Sequence, residues 1–125
     1  MIEEDIGRAI LTAAMNVHSV LGPGLLESVY ERCLQHELTT RGLDVCTQRP
    51  IEVRYADLVI DNAYRIDLLV NERVVVELKA VEKVLPVHKS QLLSYLKLGR
   101  FKLGYLLNFD CPHLRDGIIR LVNGL

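Results

Sequence analysis

Apolar residues recur at three- and four-residue steps through Ile6, Ile10, Ala14, Val17 and Leu21, which predicts an amphipathic helix from about Glu3 to Leu21. Gly22-Pro23-Gly24 stops it and turns the chain. A second stripe, Leu26, Val29, Tyr30, Cys33, Leu34 and Leu38, predicts a helix over about Leu25–Arg41 with Gly42 as its C-cap. Beyond Gly42 the pattern shortens. Val45–Gln48, Ile51–Tyr55 and Leu58–Ile60 read as strand material, with Pro50 marking an edge or bend and Asp61-Asn62 a turn. Two apolar runs then flank Asn71-Glu72-Arg73 within Tyr64–Ala80 and predict a hairpin of buried strands. A third helix is expected from about Val87 to Leu98, with Leu92, Leu93, Tyr95 and Leu96 apolar, and a buried strand over 102–109. Gly117–Val122 fits either a last short strand or a helical turn.

The hairpin carries charge where apolar residues belong: Asp67 in its first run, Glu77 and Lys79 in its second. Removing such groups from water costs several kcal/mol unless they are paired or bind a metal. Side chains alternate along a strand, so Glu77 and Lys79 share a face. The turn decides whether Asp67 joins them. A two-residue turn at Asn71-Glu72 pairs Asp67 with Val76 and sends Glu77 to the opposite face. A three-residue loop, or a bulge near Glu77, pairs Asp67 with Glu77 and makes a shared site. Inward charges can also blunt a sheet edge, and a Glu beside a Lys can be a plain cross-strand ion pair.

The 125-residue length fits one domain spanning residues 1–125 with a core of its own. No apolar run approaches bilayer length, and the acidic start Met-Ile-Glu-Glu-Asp is unlike a signal or transit peptide. Cys33, Cys46 and Cys111 are odd in number and widely spaced, as expected of reduced packing residues in a cytoplasmic protein. Net charge is only −1, so bulk charge does not mark a nucleic-acid binder. Its distribution is uneven: residues 1–72 hold 12 acidic and 6 basic side chains, residues 73–102 hold 2 and 7. Lys79, Lys83, Lys89, Lys97, Arg100 and Lys102 thus follow the charged strand closely. They suit a polyanion brought to a metal, or an ordinary solvated helix face.

Glu27 falls in the first turn of the second helix, between Leu34 and Leu38 on the helical wheel. The helix dipole favours a carboxylate there, and the margin of the apolar stripe directs it toward the core. On the third helix His88 and Gln91 share a face, with Lys89 between them, and are expected to reach toward the end of the Glu77–Lys79 strand. His18, His36 and His113 follow no metal-binding spacing and read as structural or surface residues.

Taken in order, Asp67, Glu77-Leu78-Lys79 and Gln91 resemble the PD-(D/E)XK nuclease superfamily, and Gly24-Leu25-Leu26-Glu27-Ser28-Val29-Tyr30 resembles its Gly-x-x-Glu-x-x-Tyr family. The likeness runs from His18–Gly22 through Val76–Ala80 and His88–Leu92 to Leu107–Phe109; Ile66 stands where the superfamily name has proline. The resemblance implies an α/β, restriction-endonuclease-like core: a mixed central sheet of about four strands flanked by helices, with the site at one end. It implies Mg²⁺ or Mn²⁺ held by Glu27, Asp67, Glu77 and the Leu78 carbonyl, with Lys79 and Gln91 serving the attacking water and the phosphate. Tyr30 and His88 would support these residues, and Lys83 and Lys89 would meet nucleic acid, DNA before RNA. So small a nuclease is expected to act as a homodimer to span a duplex. The rival expectation is a non-catalytic binding or assembly module that keeps the fold.

Overall fold

A computed structural model describes residues 2–125 of the chain. Helix α1 (Glu3–Leu21) and helix α2 (Glu27–Thr40) are followed by strands β1 (Val45–Tyr55), β2 (Leu58–Val70) and β3 (Val74–Lys79). Helix α3 (Pro86–Gly99), strand β4 (Leu103–Asn108), a 3₁₀ turn (Leu114–Gly117) and strand β5 (Ile118–Val122) complete it. The five strands form one sheet in the order β1-β2-β3-β4-β5. β3 and β4 run parallel and every other neighbouring pair antiparallel. The sheet is therefore mixed, and α3 is the crossover that a parallel pair requires.

Strand alternation divides the apolar residues between two layers. Leu68, Val70, Val74, Val76, Leu78, Leu103, Tyr105 and Leu107 meet the stripes of α1 and α2, including Ile6, Ile10, Tyr30, Leu34 and Leu38. Ile66, Leu69, Val75 and Leu106 meet Leu92, Tyr95 and Leu96 of α3. β3 and β4, covered on both faces, are almost wholly buried, as strands inside a three-layer arrangement are, and apart from Glu77, Lys79 and Asn108 they carry no polar side chain but the Tyr105 hydroxyl. Among the described residues no helix is long and apolar enough to cross a membrane.

The strands settle three sequence expectations, choosing between the alternatives for Pro50 and for Gly117–Val122 and correcting the turn at Asp61-Asn62. β1 runs unbroken through Pro50, which is accommodated because β1 is an edge strand whose outer side needs no ladder donor. Asp61-Asn62 is an irregularity inside β2 rather than a turn between strands: Asn62 takes a left-handed φ of 53° and the register shifts between Ile51 and Val53. Gly117–Val122 divides between the two forms considered, ending the 3₁₀ turn at Gly117 and becoming β5 from Ile118. The β1–β2 ribbon continues past the helices and leaves Tyr55, Leu58, Val59, Ile60 and Tyr64 exposed.

The hairpin turn resolves the question of register. Val70 pairs with Val74 and Leu68 with Val76, so three residues form the loop. Arg73 N donates to Val70 O at 3.0 Å, and Asn71 and Glu72 hold φ near 52° and 55°. Asn71 Oδ1 accepts from Asp44 N at 2.8 Å, and the Glu72 carboxylate accepts from Arg49 Nη2 at 2.5 and 2.8 Å. With that register Asp67 falls opposite Glu77.

Candidate active site

The β2–β3 ladder ends at Leu68 and Val76, and side chains take over its hydrogen bonds. Asp67 N donates to Glu77 Oε1 at 3.0 Å, and Leu78 N donates to Asp67 Oδ2 at 2.9 Å. Two backbone amides beyond the last ladder pair are thus satisfied by carboxyl oxygens. Ile66 and Leu69 pack in the same layer, so alternation breaks near Asp67, and its carboxyl reaches the Leu78 amide across the opening between β2 and β3. A strand residue's N–H and C=O point to the same neighbour. Since Leu78 N turns toward Asp67, the Leu78 carbonyl faces that opening as well, while Lys79 O accepts from Phe109 N at 2.9 Å on the β4 side.

Burial and the nearby charge of Asp67 push the Glu77 carboxyl up to about 9, and the two carboxyls share a hydrogen bond. Two acids held this close share a proton because both cannot easily be ionised together. Glu27 is the first residue of α2. Its side chain is open to solvent on one side, but its carboxylate accepts from the Ala80 amide and lies within electrostatic reach of Lys79, Asp67 and His88. Desolvation raises its pKa above the ordinary value, Lys79 opposes the shift and Asp67 adds to it. Lys79 is half-buried and acts on both Glu27 and Glu77.

Sequence reasoning missed three neighbours of this cluster. Glu31, one turn after Glu27 on α2, is raised first by desolvation and further by the charges of Asp67 and Glu27. Gln48 Nε2 donates to Glu31 Oε1 at 2.9 Å and to Asp67 Oδ1 at 3.3 Å. Tyr95, buried in the α3 layer, is pushed up to about 12 by burial and by the charges of Glu77 and Asp67. Glu31 carried a signal, the four-residue step from Glu27 on one helix face. Gln48 carried none, because its partners are distant in the chain.

The remaining candidates hold other positions. Tyr30 is fully buried; its hydroxyl donates to Gly22 O at 2.5 Å and accepts from Leu25 N at 3.1 Å, while its ring stacks on Phe109 at 4.6 Å. It fixes the loop that delivers Glu27. His88 Nδ1 accepts from Leu85 N at 3.0 Å at the start of α3. Gln91 lines a groove of about 490 Å³ with Tyr64, Ser94 and Tyr95, and among the described residues it makes no hydrogen bond to the acids. Lys83 and Lys89 are exposed near the start of α3. The run of basic residues does not form one surface: Lys97 and Arg100, at the far end of α3, line a different groove with Arg49 and Arg54. His18 is structural as expected, with Nε2 at 2.8 Å from Cys111 O, and all three cysteines are free.

Among the described residues, no three His, Cys, Asp or Glu side chains are gathered into a ready-made metal cage. The donors nonetheless fit Mg²⁺ or Mn²⁺. Mg²⁺ keeps several waters and takes one or two carboxylates rather than a full protein cage. Asp67, Glu77 and the Leu78 carbonyl supply hard oxygens around one opening, and a cation can replace the proton the two carboxyls share.

No curated protein sequence and no solved structure matches this chain. A family model does, over residues 4–121, which is nearly the whole length, and the five-stranded mixed sheet with its three helices is the α/β, restriction-endonuclease-like core expected of that family. By that match the chain belongs to the PD-(D/E)XK nuclease superfamily.

Proposed function

We propose that this chain is a metal-dependent phosphodiesterase of the Gly-x-x-Glu-x-x-Tyr type, cleaving nucleic acid, DNA before RNA. The observation that carries the reading is the pairing of Asp67 and Glu77 at the open end of the hairpin, where Glu77 Oε1 accepts the Asp67 amide and Asp67 Oδ2 accepts the Leu78 amide, with Lys79 two residues beyond Glu77 on the same strand. Nothing in the ladder requires acids there; apolar residues would simply continue it. Asp67, Glu77, the Leu78 carbonyl and, from the solvent side, Glu27 would hold Mg²⁺ or Mn²⁺. When bound, the ion acidifies its water and polarises the phosphoryl oxygen. Lys79 Nζ orients the attacking water and meets the negative charge that grows on the phosphate. Gln91, which lines the neighbouring groove, would contact a phosphate oxygen of an extended substrate. Lys83 and Lys89 add sequence-independent attraction for the backbone. A homodimer would supply the second site that a duplex cut requires.

The test is cleavage of single- and double-stranded DNA and RNA with Mg²⁺ or Mn²⁺, comparing the wild type with Glu77→Ala and Lys79→Ala. Metal-dependent cleavage lost in both variants is expected. Equal background in all three proteins overturns the enzyme reading and leaves a binding module.

A further inference from the structure

We infer that Gln48 is a positioning residue of this site, fixing the outer oxygen of Asp67 and tying Glu31 into the same pocket; the inference rests on the nuclease reading above. Gln48 lies on the edge strand β1, with φ of 52°. That left-handed conformation is uncommon for a residue with a side chain, and such strain persists where the surroundings over-determine it, often at functional sites. The β1–β2 ladder pairs Thr47 with Leu68 and Arg49 with Ile66, and passes over the pair between them, Gln48 with Asp67. Cys46 and Ile51 both pack in the α3 layer, so alternation breaks at Gln48 as it does at Asp67 across from it. The two strands are kinked at the same level, and a side-chain amide spans the kink.

The chemistry of that amide is specific. Nε2 carries two hydrogens, which match its two acceptors, Glu31 Oε1 at 2.9 Å and Asp67 Oδ1 at 3.3 Å. With Leu78 N on Oδ2, each oxygen of Asp67 then has one donor fixed by the fold. The carboxylate cannot rotate, and each oxygen keeps a lone pair for a cation. A lysine or arginine at this place would also bond the two acids, but its charge would oppose a metal ion. Glutamine supplies donors while leaving the pocket negative. Gln48 is itself exposed, so these two bonds, rather than packing, hold its side chain.

The test separates backbone comfort from side-chain reach. Gln48→Gly and Gln48→Asn both suit a positive φ, and both are too short to bridge the acids. In the full-length chain, Mn²⁺ affinity is measured by calorimetry and the thermal midpoint without metal by circular dichroism. Both variants are expected to melt at or above the wild-type midpoint while binding Mn²⁺ about 10–100-fold more weakly, the usual cost of losing a group that orients a metal ligand. Affinity within about twofold of wild type in both variants overturns the inference. So does a loss of affinity that tracks a falling midpoint, which marks a purely structural role. A wild type that binds no Mn²⁺ overturns the nuclease reading and this inference with it.

Discussion

Between Val70 and Leu68 the β2–β3 hairpin is an apolar ladder; one residue further, it is a pair of acids, Glu77 accepting the Asp67 amide and Asp67 accepting the Leu78 amide. The two ends share a register and a pair of strands, yet they place opposite demands on the chain. Near the turn, Leu69 packs against the α3 layer with Val75 beside it, and Val70 and Val74 are sealed under α1 and α2. At the open end, Glu77 is also buried but carries a group that burial disfavours. The lesson is that the turn end supplies the rigidity on which the acid end depends. A charged pocket can be tolerated because its backbone is fixed by neighbours that are not charged.

Mutations should separate the two ends. Leu69→Ala is expected to cost about 2–5 kcal/mol of stability, as for other large-to-small changes at buried leucines, and should leave metal affinity per folded molecule intact. Equilibrium denaturation and calorimetry would check both halves of that statement. Lys79→Ala should do the reverse, lowering cleavage by about 10²–10³-fold, the usual loss on removing one group that stabilises transition-state charge. Its thermal midpoint should stay close to wild type. A Lys79→Ala protein that unfolds as readily as Leu69→Ala would erase the distinction between the ends.

Metal and proton provide milder tests. Mn²⁺ at about a hundred times its dissociation constant should stabilise the wild type by about 2.7 kcal/mol, and a chelator should reverse this. Glu77→Ala should abolish the effect. Without metal, the folded chain keeps the Glu77 proton up to about pH 9, whereas the unfolded chain releases it near 4.5. Between those limits the folded state binds more protons, so stability falls as pH rises, and Glu27 and Glu31 contribute in the same direction. Glu77→Gln should flatten that slope in thermal melts taken from pH 5 to pH 9. An unchanged slope would locate the buried proton elsewhere.

How much of this was legible from residues alone depends on the range of the interaction. α1 follows its apolar stripe over the expected span, and α2, α3 and β4 differ from expectation by a residue or two, because local periodicity decides them. The acids of the hairpin stood out because charge inside an apolar run is costly wherever it occurs. The number of residues in the turn did not, since Asn71-Glu72 and Asn71-Glu72-Arg73 both satisfy the local chemistry and only packing of Val70 and Val74 chooses between them. Pro50 fitted an edge or a bend, and only the whole sheet, which puts β1 at its border, chooses the edge. Gln48 was invisible for the same reason: its two partners arrive from α2 and β2.

After Lys79 the chain is tethered twice. Asn108 grips Val81, accepting from its amide at 3.1 Å and donating to its carbonyl at 2.9 Å, and His88 grips Leu85. Glu82, Lys83 and Val84 span the gap between these anchors. An insertion in that short bridge would lengthen the reach of Lys83 without disturbing the hairpin or the helix on either side. The bridge is therefore where one scaffold could be adapted to partners of different width while its chemistry stays in place.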